Sequence, residues 1–519
     1  MTELHSGAQG ILAAGGGKPL LWACVSDWGD RACRCAHDMR RAVLRQAIAK
    51  GTIALIGLLA ADAFAASKPD LPHPDAQRLL DLWLGAQQRS QRLPALSVAV
   101  QLGEGPVWSR GYGFIDRAQQ VPARGDTLYG ICSISKVFTA LAVMRQVEQG
   151  RYRLDDDMAL LLPDAGLPAA SSAHGAVTVR SLLTHAGGLA REAPFPYWEP
   201  PAFRFPTRAE LLARAPEALH APRQHLHYSN HGMALLGELV ARQGGAPFGD
   251  WVSEQLLQPL ALHDTRPQVP AALLGTRLAQ GWSAPGRDGR RQPLPAIDAR
   301  AMAPSAGFSS SVADLVRFGH WQLQALRGQA LAVPVSPAGL REMHRLQFQD
   351  PQDKRQRGLA WRLSDEGNER VLMHDGHCPG QLSLLALVPA RGLVLALAMN
   401  AHHPAWIDDL LGRPARSLLL RGAALPPPDP QLAEYAGRYD ESPWTSETWL
   451  LPWGDQLLML SLPTADPMQD ATRFARAGPD AFRALRDDGS LGEWLRFERD
   501  AQGRVSRALL SHQGMRKLE

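Results

Sequence analysis

The chain of 519 residues has little of several features that define other protein classes. It contains only five cysteines, too few for a small scaffold held together by disulfides. Its 55 basic and 51 acidic side chains nearly balance, and no Lys or Arg block forms the basic stripe typical of a nucleic-acid surface. With 45% hydrophobic residues, it is neither disordered nor collagen-like. We expect a globular enzyme that acts on small molecules or cell-wall fragments and does not bind nucleic acid.

The N-terminal region lacks an apolar run long enough for a permanent membrane span. The run Gly51–Ala61 is too short to cross a bilayer. It follows a basic region between Met39 and Lys50 and precedes Ala63-Phe64-Ala65, the order typical of a secretory signal. We predict a misassigned extension at 1–38, a signal peptide at 39–65 and a periplasmic or secreted protein. The Arg40-Arg41 pair matches a twin-arginine signal only in part, so the export route stays open.

Cysteine usage is consistent with export. Three of the five cysteines lie within residues 1–38, which leaves Cys132 and Cys378 in the exported part. An even pair is typical of a compartment where disulfides persist.

Hydrophobic periodicity predicts an α+β layout for residues 66–425. Strand-like runs come first, at Leu96–Leu102 and Val107–Ile115, and return near residue 370 after a mostly helical middle. The segment Arg191–Pro206 is rich in proline and aromatic residues, which predicts an ordered loop. A Pro-rich linker at 426–430 then leads to short strand-like runs in 431–519, which favour a small barrel or sandwich.

Lysine is scarce after residue 65, with only Lys68, Lys136, Lys354 and Lys517. Of these, Lys136 alone lies in an apolar helical run. A buried lysine can lose its proton, whereas arginine stays charged. Ser133 stands three residues earlier, so its hydroxyl shares a helix face with the amine, which can then act as its base. The alternative is a serine at a helix start beside a lysine that reaches solvent.

Two further segments carry candidate chemistry. In the first, Tyr228 can relay a proton and Asn230 can bond the substrate, although for this segment alone a packed tyrosine and a capping asparagine are the more ordinary interpretation. In the second, Gly376 permits a close backbone approach, and the following N–H can point at an oxyanion. A plain glycine-rich turn is the alternative there.

Together, in this order, these segments resemble the serine β-lactamase and penicillin-binding superfamily, in its class C-like branch, over about 96–400. The likeness implies the β-lactamase/DD-peptidase fold and an acyl-enzyme mechanism without a cofactor. It implies Ser133 as nucleophile, Lys136 as its activating partner and Tyr228 as proton relay. The implied substrate-binding and oxyanion residues are Asn230, His374, Asp375, Gly376 and His377. It also implies structural roles for His185 and Asp314.

The sequence departs from the β-lactamase pattern in its third motif. His374 stands where those enzymes usually have lysine, and Asp375 replaces a small residue or threonine. We hypothesise that the Asp375 carboxylate repels a substrate carboxylate. β-Lactams and free peptide C-termini would then be poor substrates, and neutral esters or substrates with a free amine would be better ones.

The resemblance carries three further expectations. Some relatives bridge the positions of Cys132 and Cys378, so we expect a disulfide here, with two unrelated buried thiols as the alternative. The loop Arg191–Pro206 is expected to form a wall of the cleft, although loop aromatics more often only anchor their loop. The segment Leu432–Tyr439 resembles the start of a lipocalin-like barrel.

The sequence leaves several functions open. The favoured interpretation is an exported serine hydrolase that cleaves an ester or amide. The alternatives are a DD-peptidase, D-aminopeptidase or β-lactamase, and a binding or sensor protein without turnover. No metal site is predicted, because His225, His227 and His231 lack a matching carboxylate pair. The substrate and the oligomeric state stay open.

Overall fold

The computed structural model of the protein describes residues 72–167, 175–330, 332–445, 447–511 and 513–518. The expected extension and signal peptide lie outside these residues. No helix in this part of the chain is both long and apolar enough to cross a membrane.

An eight-stranded antiparallel sheet organises the first part of the molecule, in the order β2-β1-β12-β11-β10-β9-β8-β7. Two short pairs, β3 with β6 and β4 with β5, lie apart from it. The strands are β1 (Ala95–Leu102), β2 (Trp108–Gly113), β3 (Leu128–Gly130), β4 (Gly281–Trp282), β5 (Pro293–Leu294), β6 (Ser309–Ser311), β7 (Phe348–Gln349), β8 (Gln356–Arg357), β9 (Arg362–Glu366), β10 (Glu369–Cys378), β11 (Gln381–Val388) and β12 (Leu393–Met399).

Eleven α-helices are present in the described residues. They are α1 (Pro74–Ser90), α2 (Ser135–Glu148), α3 (Met158–Leu161), α4 (Val179–Leu183), α5 (Arg208–Leu212), α6 (Asn230–Gly244), α7 (Phe248–Val252), α8 (Ala303–Ala306), α9 (Val312–Leu326), α10 (Pro337–His344) and α11 (Arg413–Gly422). Helices between strands of one antiparallel sheet confirm the predicted α+β class.

Both faces of the sheet are buried, which explains why β1, β11 and β12 are almost continuously apolar. One face packs against the helical middle of the chain, where Phe138 and Phe318 stack at 4.3 Å. The opposite face packs against α1 and α11, with Trp83 and Leu418 fully buried. Successive residues of a strand therefore belong to different cores.

The last part of the chain forms a closed antiparallel barrel of eight strands. The sequence predicts a barrel or a sandwich for this region, and the structure shows the barrel. Its strands are β13 (Gly437–Asp440), β14 (Glu447–Trp453), β15 (Gln456–Leu462), β16 (Thr472–Gly478), β17 (Ala481–Leu485), β18 (Leu491–Arg499), β19 (Val505–Leu510) and β20 (Gln513–Lys517). Aromatic side chains such as Tyr435, Phe482 and Phe497 fill its interior.

The outer side of β14 and β15 packs against α1. Leu451, Trp453 and Leu458 belong to the same apolar core as Trp83. Two hydrogen bonds reinforce this contact: Trp83 Nε1 donates to the carbonyl of Thr464 at 2.9 Å, and the Gly454 N–H donates to Asp75 Oδ2 at 2.9 Å. The barrel therefore completes the hydrophobic core of the sheet.

Candidate active site

A strained turn presents Ser133 ahead of α2. The turn Cys132–Ile134 is a short 3₁₀ helix, and Cys132 has a φ of 49°, a left-handed conformation that non-glycine residues rarely adopt. The preceding residue is fixed on both sides: the Ile131 N–H donates to the Phe308 carbonyl, and Ser383 Oγ donates to the Ile131 carbonyl, each at 2.9 Å. The surrounding structure thus holds Ser133 in one position.

Gly376 explains how strand β10 approaches this turn so closely. A Cβ at this position would collide with the carbonyl oxygen of Ile131 and with Ser383 Oγ. The close approach that the sequence predicts at Gly376 is therefore made by the protein's own backbone. Any side chain here would push β10 away from Ser133.

Lys136 is fully buried beneath Ser133. Its Nζ lies 3.0 Å from Ser133 Oγ and donates to the Ser305 carbonyl at 2.6 Å. Burial lowers the pKa of Lys136 well below its ordinary value, although the Glu192 carboxylate acts in the opposite direction. The spacing of three residues does place the amine beside the hydroxyl. The amine can therefore be neutral and take a proton from Ser133.

Tyr228 lies on the other side of Lys136. The amine is 4.8 Å from the centre of the Tyr228 ring, and Arg191 Cζ is 5.0 Å from it. Burial raises the pKa of Tyr228, while a hydrogen bond with Ser133 and nearby positive charges lower it. Its hydroxyl thus belongs to the same proton network as Ser133.

His185 supports the segment that carries Tyr228. Its ring lies 4.2 Å from the Tyr228 ring, and its Nδ1 accepts a hydrogen bond from the Ser229 N–H at 3.2 Å. Burial and nearby cations lower the pKa of His185 well below its ordinary value, so the ring is neutral. The contacts of Asp314 are similarly architectural, because it accepts from the Asp264 N–H at 2.8 Å and from Thr265 Oγ1 at 3.1 Å.

Asn230, the first residue of α6, lines the cleft beside Ser133. Its Nδ2 donates to both carboxylate oxygens of Glu192, at 2.9 and 3.0 Å. Its Oδ1 is buried and has no hydrogen-bond partner. The amide nitrogen expected to contact the substrate is therefore engaged by a carboxylate from the loop.

The third motif lies on β10, and its side chains alternate between the two faces of the sheet. His374 and Gly376 lie on the face of the sheet that is directed toward Ser133. Burial lowers the pKa of His374 to about 3, so it carries no charge at neutral pH. Asp375 turns to the opposite face, where it pairs with Arg362 at 3.3 Å. Arg362 therefore offsets part of the negative charge that Asp375 was expected to present to a substrate carboxylate.

The edge of β10 beside the turn is open to a ligand. Strand β9 pairs with β10 only as far as Met373. In the described part of the chain, no strand pairs with this edge from His374 to Cys378. At the end of the strand, His377 Nε2 lies 3.1 Å from His402 Nδ1, and both rings line the cleft. A substrate backbone can therefore add to this edge.

A disulfide joins the turn to the strand. The structure links Cys132 to Cys378, with their Cα atoms 5.8 Å apart. The residue before Ser133 is thereby tied to the residue after His377, beside a cleft of about 510 Å³.

The loop 191–206 contains no helix or strand, as its composition predicts. Tyr197 and Phe205 are fully buried and 4.7 Å apart, so they anchor the loop. Trp198 and Phe203 reach the cleft, and Trp198 also lines a small apolar pocket behind Cys132. The aromatic residues therefore divide between anchoring the loop and forming the cleft wall.

Comparison with known proteins identifies the family. A model of the beta-lactamase family matches residues 80–420. The chain belongs to the beta-lactamase family. As a member it is a serine hydrolase, and the resemblance stated from the sequence is confirmed.

Relatives of this beta-lactamase family member carry different names. It is 27% identical over 380 residues to "Penicillin-binding protein 4" of Amycolatopsis lactamdurans, a match covering 68% of this chain and 95% of that protein. It is 30% identical over 204 residues to "Esterase EstB" of Burkholderia gladioli, covering 36% and 50%. The solved D-amino acid amidase of Ochrobactrum anthropi SV3, in complex with L-phenylalanine amide, superposes with a TM-score of 0.56 at 22% identity, covering 67% and 98%. That likeness shows the shared fold.

Several groups at the site of this beta-lactamase family member are not marked by the sequence. These are the cleft residues Arg191, Glu192 and His402 and the Ser305 carbonyl that binds Lys136. Arg191 and Glu192 open the aromatic loop, and no periodicity singles out a charged residue there. The Ser305 contact comes from the backbone, so no side-chain pattern reveals it.

Proposed function

We propose that the protein hydrolyses esters or amides through a covalent acyl-enzyme on Ser133. The observation that carries this is the 3.0 Å contact between Lys136 Nζ and Ser133 Oγ, with the lysine fully buried. Burial favours the neutral amine, and the position of Ser133 before α2 favours negative charge on its oxygen. A neutral base next to a held hydroxyl is the requirement for nucleophilic catalysis.

The reaction would proceed in two steps. In acylation, Lys136 takes the Ser133 proton, Oγ bonds to the substrate carbonyl carbon, and the leaving group departs with a proton relayed through Tyr228. In deacylation, water attacks the same carbon, Ser133 regains its proton, and the acid is released. The backbone N–H groups of Ser133 and His377 would bind the oxyanion, while Asn230, His374 and Gly376 shape the substrate site.

The names of the relatives support a hydrolase that accepts esters or amides, because they include a penicillin-binding protein and an esterase. Efficient β-lactam turnover is the less favoured alternative. Since His374 is neutral at neutral pH, it offers no cation for the carboxylate of a cephalosporin. The expectation of poor β-lactam turnover therefore depends on the neutral His374 as well as on the Asp375 carboxylate.

The decisive experiment is hydrolysis of p-nitrophenyl butyrate by the full-length protein and its Ser133→Ala variant. We expect turnover by the parent and a loss of at least about 10³-fold in the variant. Ser490→Ala, on the exposed surface of the barrel, is the matched control and should keep full activity. Equal activity in all three proteins would refute Ser133 as nucleophile. Faster turnover of a chromogenic cephalosporin than of the ester would instead favour the β-lactamase alternative.

We also propose that the protein is exported, through a signal peptide at 39–65. The disulfide between Cys132 and Cys378 supports this, because such bonds persist in oxidising compartments. N-terminal sequencing of protein recovered from the periplasm or medium should begin at Ala66. Recovery only from the cytoplasm, with an intact N-terminus, would contradict export.

A further inference from the structure

Glu192 is an acidic residue in the cleft that the proposed mechanism does not use. It lines the same cleft as Ser133 and Asn230, and 29% of its side chain is exposed. A carboxylate in a hydrolase cleft affects which substrates can enter, because it attracts cations and repels anions.

The contacts of Glu192 determine the polarity of this part of the cleft. A carboxylate only accepts hydrogen bonds, so the Asn230 nitrogen must face it and is used as a donor. The Tyr197 hydroxyl also donates to Glu192. Because Asn230 Nδ2 already donates to Glu192, this part of the cleft presents the Glu192 carboxylate to a substrate, as a hydrogen-bond acceptor. A substrate group that donates hydrogen bonds can bind to this carboxylate. A carbonyl oxygen cannot, because it only accepts hydrogen bonds.

The protein's own cations leave this charge available. Lys136 is buried, and its lowered pKa favours the neutral form. Arg191 Nε lies 3.1 Å from Glu192 Oε1, but its side chain is 60% exposed. Ion pairs at such an exposure contribute little, because water screens them and the long side chains lose freedom when they pair. A substrate cation can therefore displace Arg191 toward solvent.

We propose that Glu192 is a specificity-determining residue that binds a free, positively charged amine in the acyl part of the substrate. The proposal rests on the proposed function and deepens it: the preferred substrates are amides or esters of amino acids with an unblocked amine. An N-acylated analogue would bring a carbonyl oxygen toward a carboxylate and lose the charge attraction. The carboxylate that selects the amine is thus Glu192.

The test compares each substrate with its N-acetylated form. The full-length protein is assayed with alanine p-nitroanilide and N-acetylalanine p-nitroanilide, each as both enantiomers. For the preferred enantiomer we expect at least a tenfold higher kcat/KM with the free amine. Glu192→Gln should reduce that ratio at least tenfold, mainly through KM, whereas Glu192→Asp should keep part of it. Glu199→Gln, an exposed carboxylate of the same loop, is the matched control and should keep the parent ratio.

Binding provides a readout that does not need turnover. In the Ser133→Ala protein, calorimetry should show alaninamide binding at least tenfold tighter than N-acetylalaninamide, and Glu192→Gln should remove the difference. Equal binding of both compounds to the Ser133→Ala protein would overturn the proposal. Its failure is distinct from failure of the proposed function, which would appear as absence of Ser133-dependent turnover of p-nitrophenyl butyrate.

Discussion

At the scale of single residues, the protonation state of Lys136 governs the proposed chemistry. Its pKa is lowered by burial, so the neutral, base-competent form is present above that pKa and is lost as the pH falls through it. Ester hydrolysis should therefore decline on the acid side. His374, with a pKa of about 3, adds no ionisation between pH 5 and 8. A pH profile of kcat/KM for p-nitrophenyl butyrate measures this directly.

Replacing Lys136 by arginine tests the same point. Arginine keeps its proton at all accessible pH values, so Lys136→Arg should lose about 10²- to 10⁴-fold in kcat, the usual contribution of a general base. Lys354→Arg, at an exposed lysine, is the control and should show parent kinetics. If Lys136→Arg kept the parent rate and pH profile, Lys136 would not be the base.

Residue-scale prediction from the sequence worked where spacing alone determines geometry. Ser133 and Lys136 meet because three residues along a helix bring two side chains to one face. Glu192 could not be found in this way, since it lies in a Pro-rich loop whose course depends on tertiary packing. The orientation of Asp375 was available from the sequence. The twofold alternation of a strand places it on the face opposite His374 and Gly376, where it pairs with Arg362.

At the scale of elements, the disulfide between Cys132 and Cys378 connects the turn before α2 to β10. It closes a loop with a sequence separation of 246 residues. A disulfide typically contributes about 2–5 kcal/mol, more for longer loops. The double variant Cys132→Ala/Cys378→Ala should therefore melt at a lower temperature and hydrolyse p-nitrophenyl butyrate more slowly, because the turn that holds Ser133 is less constrained. Calorimetry and initial rates measure the two effects.

Reduction provides the control for the disulfide. Dithiothreitol should lower the melting temperature of the parent and leave the double variant unchanged. Thiol labelling of the native, unreduced protein should find neither cysteine reactive. Labelling at both positions, or a double variant as stable as the parent, would contradict the expected role of the bond.

Element-scale prediction succeeded for long periodic segments. Strand β1 was predicted as Leu96–Leu102 and observed as Ala95–Leu102, because its apolar run marks it clearly. Strands β17 and β20 are not clearly marked by their sequence. They are five residues each, and β20 carries Gln, Gly, Arg and Lys around one buried Met515. Barrel closure forms such strands although their sequence pattern is weak.

At the scale of the whole molecule, the barrel and the sheet share one core, so we expect them to unfold together. Trp453 is 4% exposed and packs near Gly422 on α11. Trp453→Ala should cost about 3–5 kcal/mol, the usual penalty for a large cavity. It should lower the melting temperature at which hydrolase activity is lost, although Trp453 lies outside the cleft.

A matched control separates this effect from the loss of any tryptophan. Trp444 is 75% exposed, so Trp444→Ala should leave the melting temperature within about 1 °C, as expected for a surface position. Two separate calorimetric transitions in the parent, with activity following only one, would show that the barrel folds independently. The sequence did not predict the shared core, since outward apolar residues of a barrel strand resemble inward ones until their partner is known.

The pairing of β1 with β12 has a consequence for synthesis of the protein on the ribosome. Leu96 lies opposite Met399, so the first strand of the sheet, which pairs with β2 on one side, waits for about three hundred further residues before its second neighbour emerges. The turn that holds Ser133 also waits for Gly376 and Cys378 on β10. A chain that stops before β10 therefore contains the proposed nucleophile and base but lacks the strand that fixes the turn around Ser133. Such truncated products should be inert, and the hydrolase should become active only when translation of this region is complete.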